Sequence, residues 1–343
     1  MNPVIILFAL LLVILALGIL QAGRKYDHQT LTFSILIACR NEEKNLPKLF
    51  QSLQQLDYPS DKYEIILADD DSVDSTRDLI ADFCRKADNR QFLPLRRNNQ
   101  TKSGKKTALQ AAAEKARGEI LLFTDADCQV PSGWLQGYNK YFSPATGMVI
   151  GVIMISFRGF GKFRSLVTAA INAATAGLNF AFSASGGNLA IRKTVWKEIG
   201  GYESITHHVA GDDKLMVRMI RQSGWQINFN SGNPVLTSVP EPVDFPAQQQ
   251  RKFGKFSMHP PVYKAAAVIV FLFYLYLPCY LAAYPHTLTL LPYLGGLLIF
   301  WGVTLYKFKV KFQILDIFFL LIYPYYMIIF SIWGLRRSWS WKP

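Results

Sequence analysis

Four long apolar runs constrain what this chain can fold into. Pro3–Leu20, Ala265–Tyr284 and Leu288–Tyr306 carry no charge, and Ile314–Gly334 carries one, Asp316. Roughly 17–25 such residues cross a ~30 Å hydrocarbon core at 1.5 Å per residue. Tyr and Trp gather towards the run ends, including Tyr284, Tyr306 and Trp333, as side chains of a membrane interface do. Buried core helices would explain one such run. Three in the last 80 residues, with another at the start, predict a membrane protein.

The first run predicts an uncleaved transmembrane anchor over 1–22. A signal peptide carries its positive charge before the apolar run, whereas Arg24 and Lys25 follow it. By the positive-inside rule the domain after them is cytoplasmic. Residues 264–335 are expected to form a C-terminal membrane region of about three apolar segments, and 336–343 a basic tail. Lys307–Lys311 and Arg336–Lys342 are both basic, so one full span between them would put one outside. Either the last run, broken by Pro324, is re-entrant or hairpin-like, or one basic stretch lies outside.

Lys and Arg number 37 against 24 Asp and Glu, a net charge of +13. Such an excess suggests nucleic acid first and membrane second. Fourteen basic residues and no acidic one lie in 24–25, 158–164, 251–255, 307–311 and 336–342. These stretches flank the apolar runs or belong to a Phe- and Arg-containing segment, 157–182, expected to lie on an anionic membrane surface. The rest of the chain is close to neutral, and no nucleic-acid-binding module is recognisable. The four cysteines form no C-x-x-C pair, which fits a reduced compartment.

Residues 30–255 pattern as a globular α/β domain. Thr32–Ala38, Tyr63–Ala68, Gln91–Leu95 and Glu119–Phe123 read as strands, and Lys44–Leu56, Ser75–Lys86 and Lys105–Arg117 as helices. Asp74 or Ser75 is placed to cap the second helix. Alternation of this kind predicts a mostly parallel sheet covered on both faces, with ligands at the carboxyl ends of its strands. Those ends read Cys39-Arg40-Asn41-Glu42-Glu43, Asp69-Asp70-Asp71-Ser72-Val73-Asp74 and Asp125-Ala126-Asp127. Three acidic clusters on one sheet edge repel one another without a cation, so they predict a divalent metal and a polar ligand. Asp71, Asp74 and Asp78 read as turn, cap and surface residues. Cys39, Cys128, Trp196 and Trp225 read as packing residues, and His207-His208 as loop residues rather than metal ligands.

Dinucleotide, P-loop and nucleophile-elbow motifs are absent. Lys102-Ser103-Gly104-Lys105-Lys106 is phosphate-like only in composition, although Lys105 at a helix N-terminus suits an anion.

Taken in order, these elements resemble family 2 glycosyltransferases of the membrane-anchored bacterial type, with their nucleotide-sugar-binding GT-A fold. Ile35–Glu42 is similar to the family's opening strand, and Asp69–Thr76 to its D-D-x-S-x-D-x-T. Gly104–Leu109 matches G-K-x-x-A-L, and Asp125-Ala126-Asp127 the D-x-D. Gly186–Arg192 with Gly200-Gly201-Tyr202 resembles the acceptor-side elements, and Gly211-Asp212-Asp213 stands at G-E-D.

The resemblance implies an inverting transfer from a UDP-sugar to an acceptor hydroxyl. Asp127 and Asp125 would hold Mg²⁺ or Mn²⁺. Ala38, Arg40, Glu42, Asp69, Asp70, Lys105, Asp125 and Ala126 would bind the nucleotide-sugar. Asp213, with Asp212 beside it, would be the catalytic base. Gly187, Asn188, Gln249, Arg251 and Phe253 would meet the acceptor. Processive members carry Q-x-x-R-W. Here Gln248–Phe253 keeps Arg251 in one register, and in the other puts Lys252 for Arg and Phe253 for Trp. That degenerate motif, and the few spans, favour transfer of one or a few sugars to a lipid acceptor at a bacterial inner membrane. A processive polysaccharide synthase is the alternative within the family. A catalytically inactive, membrane-anchored nucleotide-sugar-binding protein is the alternative of another class.

Overall fold

The computed structural model describes residues 2–26, 30–96, 104–155, 158–205, 212–237, 261–284 and 287–334. Two compact units emerge: one of residues 23–156 and 183–238, the other of 1–22, 157–182 and 239–343.

The first unit is built on β1 (Phe33–Cys39), β2 (Tyr63–Asp70), β3 (Arg90–Leu95) and β4 (Ile120–Asp125), which are mutually parallel. Their connections carry α2 (Leu46–Gln54), α3 (Thr76–Cys84) and α4 (Lys105–Lys115). Beyond β4 come β5 (Cys128–Gln129), α5 (Trp134–Asn139), β6 (Thr146–Ile150) and β7 (Ile153–Met154). A second stretch adds β8 (Asn188–Arg192), α7 (Lys193–Glu198), α8 (Asp212–Gln222), β9 (Gln226–Phe229) and β10 (Val235–Thr237). The seven-stranded sheet runs β3-β2-β1-β4-β8-β6-β9, with β8 antiparallel to both neighbours; β5, β10 and β7 form a smaller sheet.

β1 and β2 are apolar on both faces because both faces are covered. Phe33, Ile35, Ile37, Ile65 and Leu67 join Leu46, Leu49 and Leu53 of α2 and Ile80 and Phe83 of α3 in one core. The Ala-rich α4 packs against β1 and β2, burying Ala108, Leu109, Ala112 and Ala113. Element ends differ from the sequence reading for local reasons. Pro47 sits in the first turn of α2, a position its missing N–H tolerates, so that helix starts at Leu46 rather than Lys44. Asp74 caps α3, its Oδ1 accepting from Thr76 N at 3.0 Å, while Ser75 makes no side-chain cap. Register extends β4 to Asp125, which pairs with Ala38.

The second unit contains α1 (Pro3–Gln21), α6 (Gly159–Gly177), α9 (Pro261–Ala283), α10 (Leu291–Phe308) and α11 (Leu315–Gly334). Among the described residues, three of its helical stretches, Pro3–Gln21, Tyr263–Ala283 and Leu288–Phe308, are long and apolar enough to cross a membrane. The expected break at Pro324 is not present: α11 continues through it. The tail 336–343 lies outside the described residues.

α6 departs from its expected role. A surface helix buries one stripe, yet α6 packs against α1, α10 and α11 and buries Lys162, Phe163, Arg164 and most residues of its Ala-rich second half. At its crossing with α1, a methyl on Gly18 would lie 2.5 Å from the Ala174 carbonyl, the close approach that small residues permit between apolar helices. Lys162 Nζ lies 2.9 Å from Asp316 Oδ1 and 3.0 Å from Oδ2, and both side chains are fully buried. Trp301 Nε1 and Gln313 N also donate to Asp316 Oδ2, at 3.3 and 3.1 Å. The Arg164 guanidinium sits 5.6 Å from the Tyr326 ring. Two of the cations expected at a membrane surface are therefore inside the helical unit, held by an acid and by aromatic faces.

Breaking a buried ion pair on one side leaves an uncompensated charge, at ~3–5 kcal/mol. Asp316→Leu or Lys162→Met alone is expected to lower the thermal stability of the detergent-solubilised protein by about that much. The double replacement is expected to recover most of the loss. Additive losses in the double variant would contradict the pairing.

Candidate active site

Register brings the acidic strand ends together. Ala38 pairs with Ala68 on one side and with Asp125 on the other. Asp125 and the Asp69-Asp70 end of β2 thus stand about two strand spacings, ~10 Å, apart with β1 between them. The loops after β1 and β2 are laced across this gap. Asn41 N donates to Ser72 Oγ at 3.0 Å, Glu42 N to Thr76 Oγ1 at 2.8 Å, and Val73 N to Asn41 Oδ1 at 3.0 Å. Asn41 and Asp71 both hold positive φ, 52° and 60°, a conformation in which Asn and Asp are enriched.

The individual carboxylates differ sharply. Asp69 is fully buried; its oxygens accept from Ser72 N at 3.3 and 3.4 Å, with Arg77 Nε at 3.5 Å. In this arrangement its carboxylate holds the turn after β2. Asp70 is almost as buried, and Arg40 Nη1 donates to its backbone carbonyl at 3.1 Å. Burial pushes the Asp70 carboxyl up to about 6, with Asp69 and Asp71 adding to the rise and Arg40 opposing it. Glu42 accepts from Asn45 Nδ2 at 2.7 Å. Burial, with repulsion from Asp125 and Glu42, also raises the Asp127 carboxyl, against Lys105.

Asp125 ion-pairs with Lys105, from the first turn of α4. Asp127 accepts from Cys128 Sγ at 3.7 Å and from Thr237 Oγ1 of β10 at 3.4 Å. Ligand atoms of Asp125, Asp127 and Cys128 lie within 4.8 Å of one another. Burial pushes the Cys128 thiol well above its usual range, so it stays neutral, leaving two carboxylates to offer hard oxygen donors. Mutual repulsion in a half-enclosed cluster of oxygens suits Mg²⁺ or Mn²⁺. Ala126 turns its methyl into the core, so only its backbone is available to a ligand; Ala38 remains partly exposed.

Asn188 does not face an acceptor, which corrects its predicted role. It is fully buried; its Oδ1 accepts from Trp134 Nε1 at 2.9 Å and Tyr138 Oη at 2.7 Å, and its Nδ2 donates to the Val152 carbonyl at 2.7 Å. Gly187, just before it, abuts Asp125, and Gly186 lies beside the Cβ of Asp213. Asp213 stands in the first turn of α8, accepting from Lys214 N at 3.0 Å. The side chain of Asp212 and residues His207, His208, Gly211, Gln249, Arg251 and Phe253 lie outside the described residues. Cys39, Cys128 and Trp196 are core, as expected; Trp225 is half-buried and bonds Glu198 at 2.9 Å.

Sequence reasoning missed Thr237, Lys106 and Gln110. Lys106 Nζ donates to the Ile205 carbonyl at 3.2 Å and Gln110 Oε1 accepts from Tyr202 N at 2.9 Å. α4 thus touches Asp125 through Lys105 and pins the stretch leading towards α8 through its next polar positions. Trp134 and Tyr138 of α5 were missed as well; their only signal in the sequence is the i, i+4 spacing that puts two side chains on one helix face.

A mostly parallel sheet of this order with an acidic carboxyl edge defines a GT-A-like fold class. The model of the family "glycosyl transferase family 2" matches residues 34–200. A β-monoglucosyldiacylglycerol synthase of Nostoc is 38% identical over 125 residues, 35% of this chain and 26% of that protein. Glycosyltransferase AglE of Haloferax volcanii is 25% identical over 206 residues, 58% of this chain and 65% of that one. This chain thus spans about a quarter of the first relative and just under two thirds of the second. In fold it is similar to the mannosyltransferase PcManGT of Pyrobaculum calidifontis, solved with GDP-mannose and Mn²⁺: TM-score 0.57, 17% identity, covering 96% of this chain and 99% of that one. Over residues 34–200 the chain matches glycosyltransferase family 2, and its α/β unit has a GT-A-like fold.

Between about pH 4 and 6 the raised Asp70 carboxyl binds more protons in the fold than in the unfolded chain. Its contribution to stability therefore falls as pH rises through that window. Asp70→Asn is expected to stabilise the protein by about 2–3 kcal/mol above pH 6, with the gain shrinking towards pH 4. Unfolding midpoints from pH 4.5 to 8, wild type against variant, check this.

Proposed function

We propose that the protein transfers a sugar from a UDP-sugar to a hydroxyl of a membrane-associated lipid, by single displacement with inversion at the anomeric carbon. The observation that supports this most is the meeting of Asp125, Asp127 and Lys105 at the carboxyl edge of the sheet, with Asp213 reached across the Gly186-Gly187 step.

Asp127 and Asp125 would hold Mg²⁺ or Mn²⁺, which supplies positive charge to the leaving diphosphate. Lys105 adds a second cation beside it. Asp70 and Arg40 line the nucleoside end of the site. Asp213 orients the acceptor hydroxyl and takes its proton, a contribution of about 10²–10⁴-fold in rate. The proton moves to a carboxylate oxygen as the new glycosidic bond forms and the diphosphate departs. No covalent enzyme intermediate is required.

A lipid acceptor is supported by the apolar helices and by the diacylglycerol named for the Nostoc relative. Tethering the transferase at the bilayer raises the effective concentration of such an acceptor and restricts its orientation. Arg24 and Lys25 after α1 favour the cytoplasmic side for the catalytic unit.

Incubating membranes that contain the protein with a panel of UDP-sugars, then weighing the lipid extract by mass spectrometry, is expected to show a single-hexose increment. A ladder would instead mean processive synthesis, and product from GDP-sugars alone would contradict the donor. Asp213→Asn is expected to cut transfer at least 10²-fold while UDP binding stays within twofold. Loss of UDP binding would make Asp213 a nucleotide ligand and not the base.

A further inference from the structure

Gly187 and Asn188 stand in the element that sequence resemblance assigns to the acceptor, yet their surroundings belong to the donor side. A methyl placed on Gly187 would lie 2.8 Å from Asp125 Oδ2, 3.1 Å from Asp125 Cγ and 3.1 Å from Ile153 Cδ1. The bare α-carbon is thus the wall against which the Asp125 carboxylate rests on one side, with Lys105 holding it on another.

That wall is itself fixed from behind. Asn188 takes two hydrogen bonds on Oδ1, from Trp134 and Tyr138, and gives one to Val152 from Nδ2. Its backbone N–H donates to the Ser185 carbonyl at 2.9 Å, and its own carbonyl accepts from Gly151 N at 2.9 Å. A fully buried amide with this many partners has one orientation. It locks the start of β8, and with it the α-carbon one residue earlier.

We infer that Gly187 and Asn188 are positioning residues for the metal-binding carboxylate Asp125, with Trp134 and Tyr138 as their anchor. This rests on the proposal that Asp125 and Asp127 hold the divalent ion. An added methyl meets the far end of a short side chain rather than backbone, so the carboxylate gives way and the fold survives. The lost property is alignment of Asp125 with Asp127, read out in the affinity for the ion.

The test titrates Mn²⁺ into the full-length protein with saturating UDP, following free Mn²⁺ by electron paramagnetic resonance and stability by thermal unfolding. Wild type, Gly187→Ala, Asn188→Ala and Asp127→Asn are compared. Gly187→Ala is expected to bind Mn²⁺ at least tenfold more weakly with a near-native unfolding midpoint. Asn188→Ala is expected to weaken it in the same direction, with a lower midpoint. Gly187→Ala with wild-type Mn²⁺ affinity overturns the inference. If Gly187→Ala does not fold, the Asp125→Ala/Gly187→Ala double variant decides. A folded double variant shows that the methyl's clash is with Asp125, and an unfolded one overturns the inference. Equal Mn²⁺ binding by wild type and Asp127→Asn, an outcome independent of Gly187, means that the metal site itself is misassigned, and the inference falls with it.

Discussion

Repulsion among carboxylates at one edge of a parallel sheet is the constraint on which the α/β unit depends. Asp70, Asp125, Asp127 and Glu42 are drawn together by strand register and loop lacing, and burial disfavours the charge of Asp70 and Asp127. Such an arrangement costs stability unless cations answer it. Lys105 and Arg40 answer it in part from the chain itself, and a divalent ion with a diphosphate is the ligand pair that would complete it. The opposite end of the sheet shows what a purely structural acid looks like. Glu64 is pushed up by burial, yet hydrogen bonds from Ser34 and Arg117 outweigh that and hold it below the usual carboxylate range.

The local folding serves this edge. α4 carries Lys105 to Asp125, and its Lys106 and Gln110 tie down the chain ahead of α8. The small sheet brings Thr237 of β10 to Asp127, directly opposite Cys128 in register. Asp125 and the stretch at Tyr202–Ile205 are therefore both held by α4.

The strands and the acidic ends were legible in the sequence because doubly buried parallel strands read as apolar runs and their ends as abrupt polar clusters. The helices between the first four strands were legible to within a turn: α2 begins two residues late, at Leu46 before Pro47, and all three end two residues earlier than their pattern suggested. Which acid does what was not legible. Asp69 and Asp70 are adjacent and alike in sequence, but Asp69 meets Ser72 and Arg77 while Asp70 faces Arg40. Asn188 read as an acceptor contact because its three partners, Trp134, Tyr138 and Val152, are 36 to 54 residues away. α6 read as a surface helix because Lys162 and Arg164 are charged. Their burial depends on Asp316 and Tyr326, more than 150 residues further along the chain, and no periodicity within the helix encodes that.

Calorimetric titration of the purified full-length protein with UDP, in Mn²⁺ and again in excess chelator, tests the central claim most directly. Cation-dependent closure of the acidic edge predicts measurable binding in Mn²⁺ and a loss of at least tenfold in chelator, with GDP binding more weakly than UDP in both. Equal UDP affinity with and without the ion would contradict it.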